Sequence, residues 1–282
     1  MRVVSVLPAA TEIVAAIGGT DLLVGVSDAC DFPPVVRTLP RVTRSLVDAR
    51  LPSGEIARAV AARARDGGGP IALDCARLAE LRPDVVIGQG LCDVCAVGEQ
   101  PLREAVAVLS PPPRVVTLHP HSVGEVLDDI TRVGAALARG EPAAACVAAL
   151  SARLRRLRAE PRRVRPPRVL VLEWVDPPYV AGHWVPELVE LAGGEAVGSV
   201  AGARSVAHPW GELAALAPDL VVIALCGFDL SRARAEVART PDPDARAVLK
   251  GRVEFLDGNA YTSRPGPRVV DAAERLAEFL EG

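Results

Sequence analysis

The chain has 282 residues, half of them apolar, which is enough for two ordinary domains or one large one and for a substantial buried core. A formal charge of -3 leaves no broad basic surface, so nucleic acid is not an expected partner. No run approaches the roughly 20 apolar residues that cross a bilayer, so membrane insertion is not expected either.

From the amino end, Met1-Arg2-Val3-Val4-Ser5-Val6 reads at once as a strand, over 3–7, with no export-type leader before it. The expectation is therefore a soluble cytoplasmic protein, in which six cysteines are reduced thiols or metal ligands rather than a disulfide framework. Pro8-Ala9-Ala10-Thr11-Glu12 then opens a helix, whose free N–H groups favour a carboxylate, phosphate or amide oxygen. Pro8, Ala9 and Thr11 are candidate ligand contacts, although the segment lacks the glycines of a nucleotide-binding loop. A strand over 22–26 leads to Cys30, and 52–69 reads as a surface helix ending in three glycines. Leu-Arg-Pro-Asp precedes a strand over 85–87, which runs to Gln89, another candidate contact, and to Cys92-Asp93-Val94-Cys95.

A strand over 115–118 ends in His119-Pro120-His121, where both histidines read as turn residues because H-x-H spacing alone is a poor metal signal. Ser122 and Glu125 form a capping box, and Val126, Ile130, Val133 and Leu137 follow at helical spacing. Gly140 and Pro142 permit a break or a second helical start before Leu150, Leu154 and Leu157 continue the period towards Pro167. Strands over 169–172, 220–225 and 253–256 complete the pattern, and Leu-Ala-Pro-Asp before the middle one echoes the earlier Leu-Arg-Pro-Asp. Strand-helix alternation on both sides of a strandless helical stretch predicts an α/β protein with two Rossmann-like lobes of mainly parallel sheet. The boundaries fall at 1–121 for the first lobe, 122–167 for the helical connector and 168–282 for the second lobe.

In open α/β sheets ligands lie beyond the carboxyl ends of strands, and that rule selects the chemistry-bearing residues. Cys30, Cys92, Cys95 and Cys226 all follow strands, and four such thiols would suit Zn or an iron-sulfur cluster in a redox or sensing role. Cys75 and Cys146 fall on predicted helices and read as structural. Aromatic residues number only nine, yet Trp174, Trp184, Trp210, Phe228 and Tyr261 gather after strands or in the loops beyond them, as walls for a flat ligand. His183, between Gly182 and Trp184, is the best histidine for ligating a metal or donating to a ligand, ahead of His208. Arg264 is a candidate partner for a ligand oxygen. No nucleophile elbow, HExxH or supported Ser, His and Asp arrangement is present, so no enzymatic activity is expected.

Several of these segments also carry a resemblance. Ser5-Val6-Leu7-Pro8-Ala9-Ala10-Thr11-Glu12, Val24-Gly25-Val26-Ser27, the Pro-Asp-Val-Val-Ile of 83–87 and Arg264-Pro265-Gly266-Pro267-Arg268 resemble the cobalamin and ferric-siderophore binding proteins of bacterial ABC importers, over nearly the whole chain. The resemblance implies two lobes joined by a helical backbone, a ligand cleft between them, and non-catalytic binding of a corrinoid such as cobalamin or a related metal chelate. Importer receptors of that family present one glutamate per lobe to the permease. Ala76 and Gly211 stand at those positions here, with Glu212 beside the latter. Docking to an ABC permease is therefore not expected, and the chain looks like a cytosolic subgroup that kept the ligand site; a receptor component of an importer is the alternative.

Overall fold

The computed structural model describes residues 1–91, 96–161, 163–240 and 242–282. It has a two-lobed α/β fold with mainly parallel sheets and a long helical connector. Two compact units divide the chain: Met1–Leu51, Glu55–His119 and Leu127–Ala148 form the first, and Pro52–Gly54, Pro120–Val126 and Ala149–Gly282 the second.

In chain order the first half contains β1 (Val3–Ser5), α1 (Pro8–Ala16), β2 (Leu23–Val26), β3 (Thr43–Ser45), α2 (Ser53–Arg65), β4 (Ile71–Leu73), α3 (Cys75–Leu81), β5 (Val85–Gln89), α4 (Glu99–Ala107) and β6 (Arg114–Leu118). The connector is α5 (Val123–Ala136) followed by α6 (Gly140–Ala159), the second start that Gly140 and Pro142 permit. The sheet of the first unit is parallel throughout, in the order β2-β1-β5-β6. β1 and β5 are buried along their whole length, which is why they read as continuous apolar runs rather than alternating ones. β3 and β4 form a separate antiparallel pair that the sequence pattern does not announce, since each has three residues and neither is fully buried. Where α5 turns back into α6, Gly134 faces Ala143, and a Cβ on Gly134 would stand 2.3 Å from that of Ala143. Small residues on both helices therefore set how closely they approach.

The second half contains β7 (Arg168–Val175), β8 (Pro178–Val180), α7 (Val185–Leu191), β9 (Glu195–Ala196), β10 (Val206–Ala207), α8 (Trp210–Ala215), β11 (Leu220–Ile223), α9 (Leu230–Arg239), α10 (Pro243–Val248), β12 (Val253–Phe255) and α11 (Val269–Glu281). β7, β11 and β12 are parallel, β8 and β10 extend the sheet antiparallel, and β9 pairs with the start of β7.

The sequence echo is a structural repeat. Asp84 Oδ2 accepts from the backbone N–H of Arg2 at 2.6 Å, and Asp219 Oδ2 accepts from that of Arg168 at 2.8 Å. In return the Asp84 and Asp219 N–H groups donate to the carbonyls of the same two residues, each at 2.8 Å. Two residues before each aspartate, Arg82 and Ala217 adopt left-handed φ of 42° and 45°, which ends the preceding helix and turns the chain into the next strand. Each lobe thus ties the start of its first strand to a helix-Pro-Asp-strand unit by the same clamp.

Candidate functional site

Strand order locates the edge at which each sheet offers a crevice. β2 lies on one side of β1 and β5 on the other, so the direction of winding reverses between β1 and β5; in the second unit it reverses between β7 and β11. The residues just beyond the carboxyl ends of those strands are where each sheet offers a crevice.

At the β1 and β5 ends, α1 starts at Pro8 with no side-chain cap from Leu7. Ala9 and Thr11 are buried, and the Thr11 hydroxyl lies 2.9 Å from Ser5 Oγ and 3.1 Å from Cys30 Sγ. Their side chains build the interior, and Gln89 at the end of β5 is buried as well. Cys30 is fixed by its turn: Arg41 donates to the carbonyls of Ser27 and Cys30 at 2.9 and 2.8 Å. Asp28 braces the same turn by accepting from Thr43 Oγ1 at 2.6 Å and from the Ser45 N–H at 2.8 Å.

At the β7 and β11 ends two of the aromatic residues, Trp174 and Phe228, lie side by side. β7 extends to Val175 and so includes Trp174, whose Nε1 donates to the carbonyls of Ser53 at 3.2 Å and Asp176 at 3.1 Å. Its ring is 5.1 Å from that of Phe228, at 53°, and the Arg232 guanidinium stands 4.0 Å over the Phe228 ring. Ser53 is itself anchored, its N–H donating to the buried Glu236 at 2.9 Å. Arg232 is not among the candidates that strand ends select, although Phe228 and Arg232 at i, i+4 across the Asp229 helix cap are a signal legible in the sequence. Gly258 lets the chain after β12 pass close to this turn, since a Cβ there would stand 2.2 Å from the Leu225 carbonyl. Tyr261 is half-buried in the turn that follows, Gly258–Thr262. Arg264 is 3% exposed and donates to Asn259 Oδ1 at 2.7 Å.

His183 and Trp184 form a different group. β8 runs back along β7, and Ala181 N–H donates to the Val171 carbonyl, so the two residues stand well behind the carboxyl end of β7. The rings of His183 and Trp184 are 5.7 Å apart, and His121 is 5.7 Å from His183. His183 has a left-handed φ of 52°, and its imidazole is held below its ordinary pKa by burial first, then by His121 and Arg204. Trp210 is buried as the first residue of α8. With His208, Asp176, Asp242 and Asp244 it lines an open depression of about 620 Å³ in the second unit.

Of the four cysteines picked for a metal, Cys30 belongs to the first unit and the half-buried Cys226 to the second; Cys92 and Cys95 lie outside the described residues. Among the described residues no group of three or more His, Cys, Asp or Glu is placed to hold a metal ion. Among them, too, no helix is long and apolar enough to cross a membrane. Cys75 is exposed at the start of α3, and burial pushes the Cys146 thiol up from its ordinary pKa.

Solved structures share this fold over the full length of the chain. A periplasmic heme binding protein from Pseudomonas aeruginosa superposes with a TM-score of 0.73 at 22% identity, covering 100% of this chain and 93% of its own. The periplasmic vitamin B12 binding protein of Vibrio cholerae gives 0.68 at 21%, covering 99% and 96%. A possible iron-binding periplasmic solute-binding protein from Staphylococcus epidermidis gives 0.71 at 19%, covering 100% and 98%. No curated protein is a significant match. The family model described as periplasmic binding protein matches residues 3–260. The chain therefore belongs to the periplasmic binding protein family, and it is a solute-binding protein rather than an enzyme.

Proposed function

We propose that this protein binds a planar metal chelate of the corrinoid class, cobalamin or a close analogue, with the residues at the carboxyl ends of β7 and β11 as one wall of the site. The observation that carries the reading is the Trp174–Phe228 pair backed by Arg232 at the winding reversal of the second sheet. A flat macrocycle gains most from broad aromatic surface, with a few polar groups to orient it. The Arg232 guanidinium beside that pair suits the amides or carboxylates that rim such a ligand. Relatives of the same fold named for vitamin B12, heme and iron support a metal-containing ligand.

The test is a titration of the full chain with cyanocobalamin, dicyanocobinamide and hemin, followed by visible absorbance and tryptophan fluorescence. One-to-one binding of a corrinoid with quenching of Trp174 is expected. Replacing Trp174 and Phe228 together by Leu should weaken it at least tenfold, or about 1.4 kcal/mol. Binding of hemin alone would move the ligand to the porphyrin class, and no response to any of the three would remove the reading.

A receptor role in an ABC importer is the second reading, favoured by family membership and by the exposed Glu212 at the start of α8. Against it stand Ala76 and Gly211, both exposed and both without a carboxylate.

A further inference from the structure

The depression of about 620 Å³ in the second unit begins where β7 ends. Trp174 Nε1 donates to the Asp176 carbonyl at 3.1 Å, and Asp176 is one of three aspartates that line the depression. The others are Asp242, which caps α10, and Asp244 in the first turn of that helix. Between them the lining is apolar, with Val175, Pro178, Pro209 and Trp210. All of these residues belong to the second unit, as do Trp174 and Phe228.

The lining is sharply divided between acceptors and a donor. The chain carries 32 lysines and arginines, yet among the described residues none of them lines the depression. His208, which lines it and can take a positive charge, faces Glu212 across 3.3 Å. Asp242 Oδ1 accepts from the Asp244 N–H at 2.8 Å, whereas the carboxylates of Asp176 and Asp244 make no hydrogen bond or ion pair among the described residues. A Cβ on Gly211 would stand 3.3 Å from Asp244 Oδ2, so glycine leaves that carboxylate uncovered. The donor is Trp210, which is 5% exposed and whose indole N–H makes no hydrogen bond among the described residues.

Carboxylates only accept hydrogen bonds and an indole N–H only donates. The group that satisfies both offers N–H to the aspartates and an oxygen to the tryptophan, as a primary carboxamide does. An ammonium group would leave the buried indole unmet. A carboxylate or phosphate would meet the indole but stand against like charge, which is how a site rejects a wrong ligand.

We propose that this depression reads primary carboxamide substituents of the bound chelate and rejects carboxylate and phosphate ones, with Asp176, Asp242 and Asp244 as specificity-determining residues. The inference rests on the chelate-binding reading above and narrows it to a corrin rimmed by amides, since heme carries propionate carboxylates instead.

The full chain is titrated at one ionic strength with dicyanocobinamide, whose rim is amide, and with dicyanocobyrinic acid, the same ring with carboxylates in their place. The wild type should favour the amide form at least tenfold. Combined Asp176→Asn, Asp242→Asn and Asp244→Asn substitutions keep side-chain size, and asparagine still caps α10. In that variant the affinity for the amide form should fall and that for the acid form should rise, so that the preference shrinks severalfold. Equal wild-type affinity for the two forms, or a preference unchanged in the variant, would overturn the role of the depression while leaving the proposed function standing. Absence of binding by either corrinoid would overturn both.

Discussion

His183 combines a left-handed φ of 52° with an environment that disfavours its charged form. A left-handed φ costs a non-glycine residue about 1 kcal/mol or more. The Nδ1 of His183 and the Nε1 of Trp184 are also buried without a partner among the described residues. The backbone holds the conformation: His183 N–H donates to the Ala203 carbonyl at 2.6 Å, and its own carbonyl accepts from Gly202 at 2.8 Å. Because the folded-state pKa lies below the ordinary histidine value of 6.5, the unfolded chain takes up a proton first as pH falls. Stability owed to neutral His183 is thus complete above the unfolded value and declines as pH drops through 6.5 towards the folded one. Asparagine accepts left-handed φ and does not titrate, so His183→Asn should flatten the fall in urea midpoint between pH 8 and pH 5. An equal fall in the variant would assign the pH dependence to other groups.

At the scale of elements, the aspartate clamp explains how two short turns hold the first strand of each sheet in register. Each carboxylate satisfies a backbone N–H at a strand start, and each lobe adds an arginine side chain donating to the helix end: Arg2 to Leu81 at 2.8 Å and Arg168 to Leu216 at 2.9 Å. Asp84→Ala and Asp219→Ala should each cost about 1 kcal/mol in chemical denaturation. The double variant should add within a few tenths of that sum, because the two clamps share no partner. No change in the midpoint on either substitution would mean that water replaces the carboxylate without loss.

For the molecule as a whole, the decisive element is α6, which contributes its first half to one compact unit and its second half to the other. In the second unit Arg153 bonds both Asp271 and Glu274 of α11, with Nε to Glu274 Oε1 at 2.9 Å. Arg153→Met should destabilise by about 1–2 kcal/mol, the range of a partly buried charged hydrogen-bonded group. Arg153 holds the Glu274 carboxyl below its ordinary 4.5, so this contribution is present above that value and is lost as pH falls through the lower folded one. The gap between wild type and variant, measured by urea denaturation, should therefore close on acidification. A gap that persisted at acid pH would show that packing of the arginine stem, not the ion pair, is what α6 supplies.

The sequence by itself determined seven strands of the two parallel arrays, the capped connector helix with its second start, the repeated Pro-Asp units and the placement of Phe228 after a strand, whereas Trp174 lies inside β7 rather than beyond it. Those features are local: a buried parallel strand is a continuous apolar run, and a cap or a Pro-Asp turn is written in adjacent residues. Only the tertiary structure revealed β3, β4 and β8 to β10, which are too short or too exposed to show a period. Only the structure set His183 back from the carboxyl end of β7, because that follows from the antiparallel pairing of β8. It also gathered Asp176, Trp210 and Asp244, which lie far apart along the chain, around one depression. Spacing along the chain could not group those residues, since the depression they line exists only once the end of β7 and the starts of α8 and α10 are packed together.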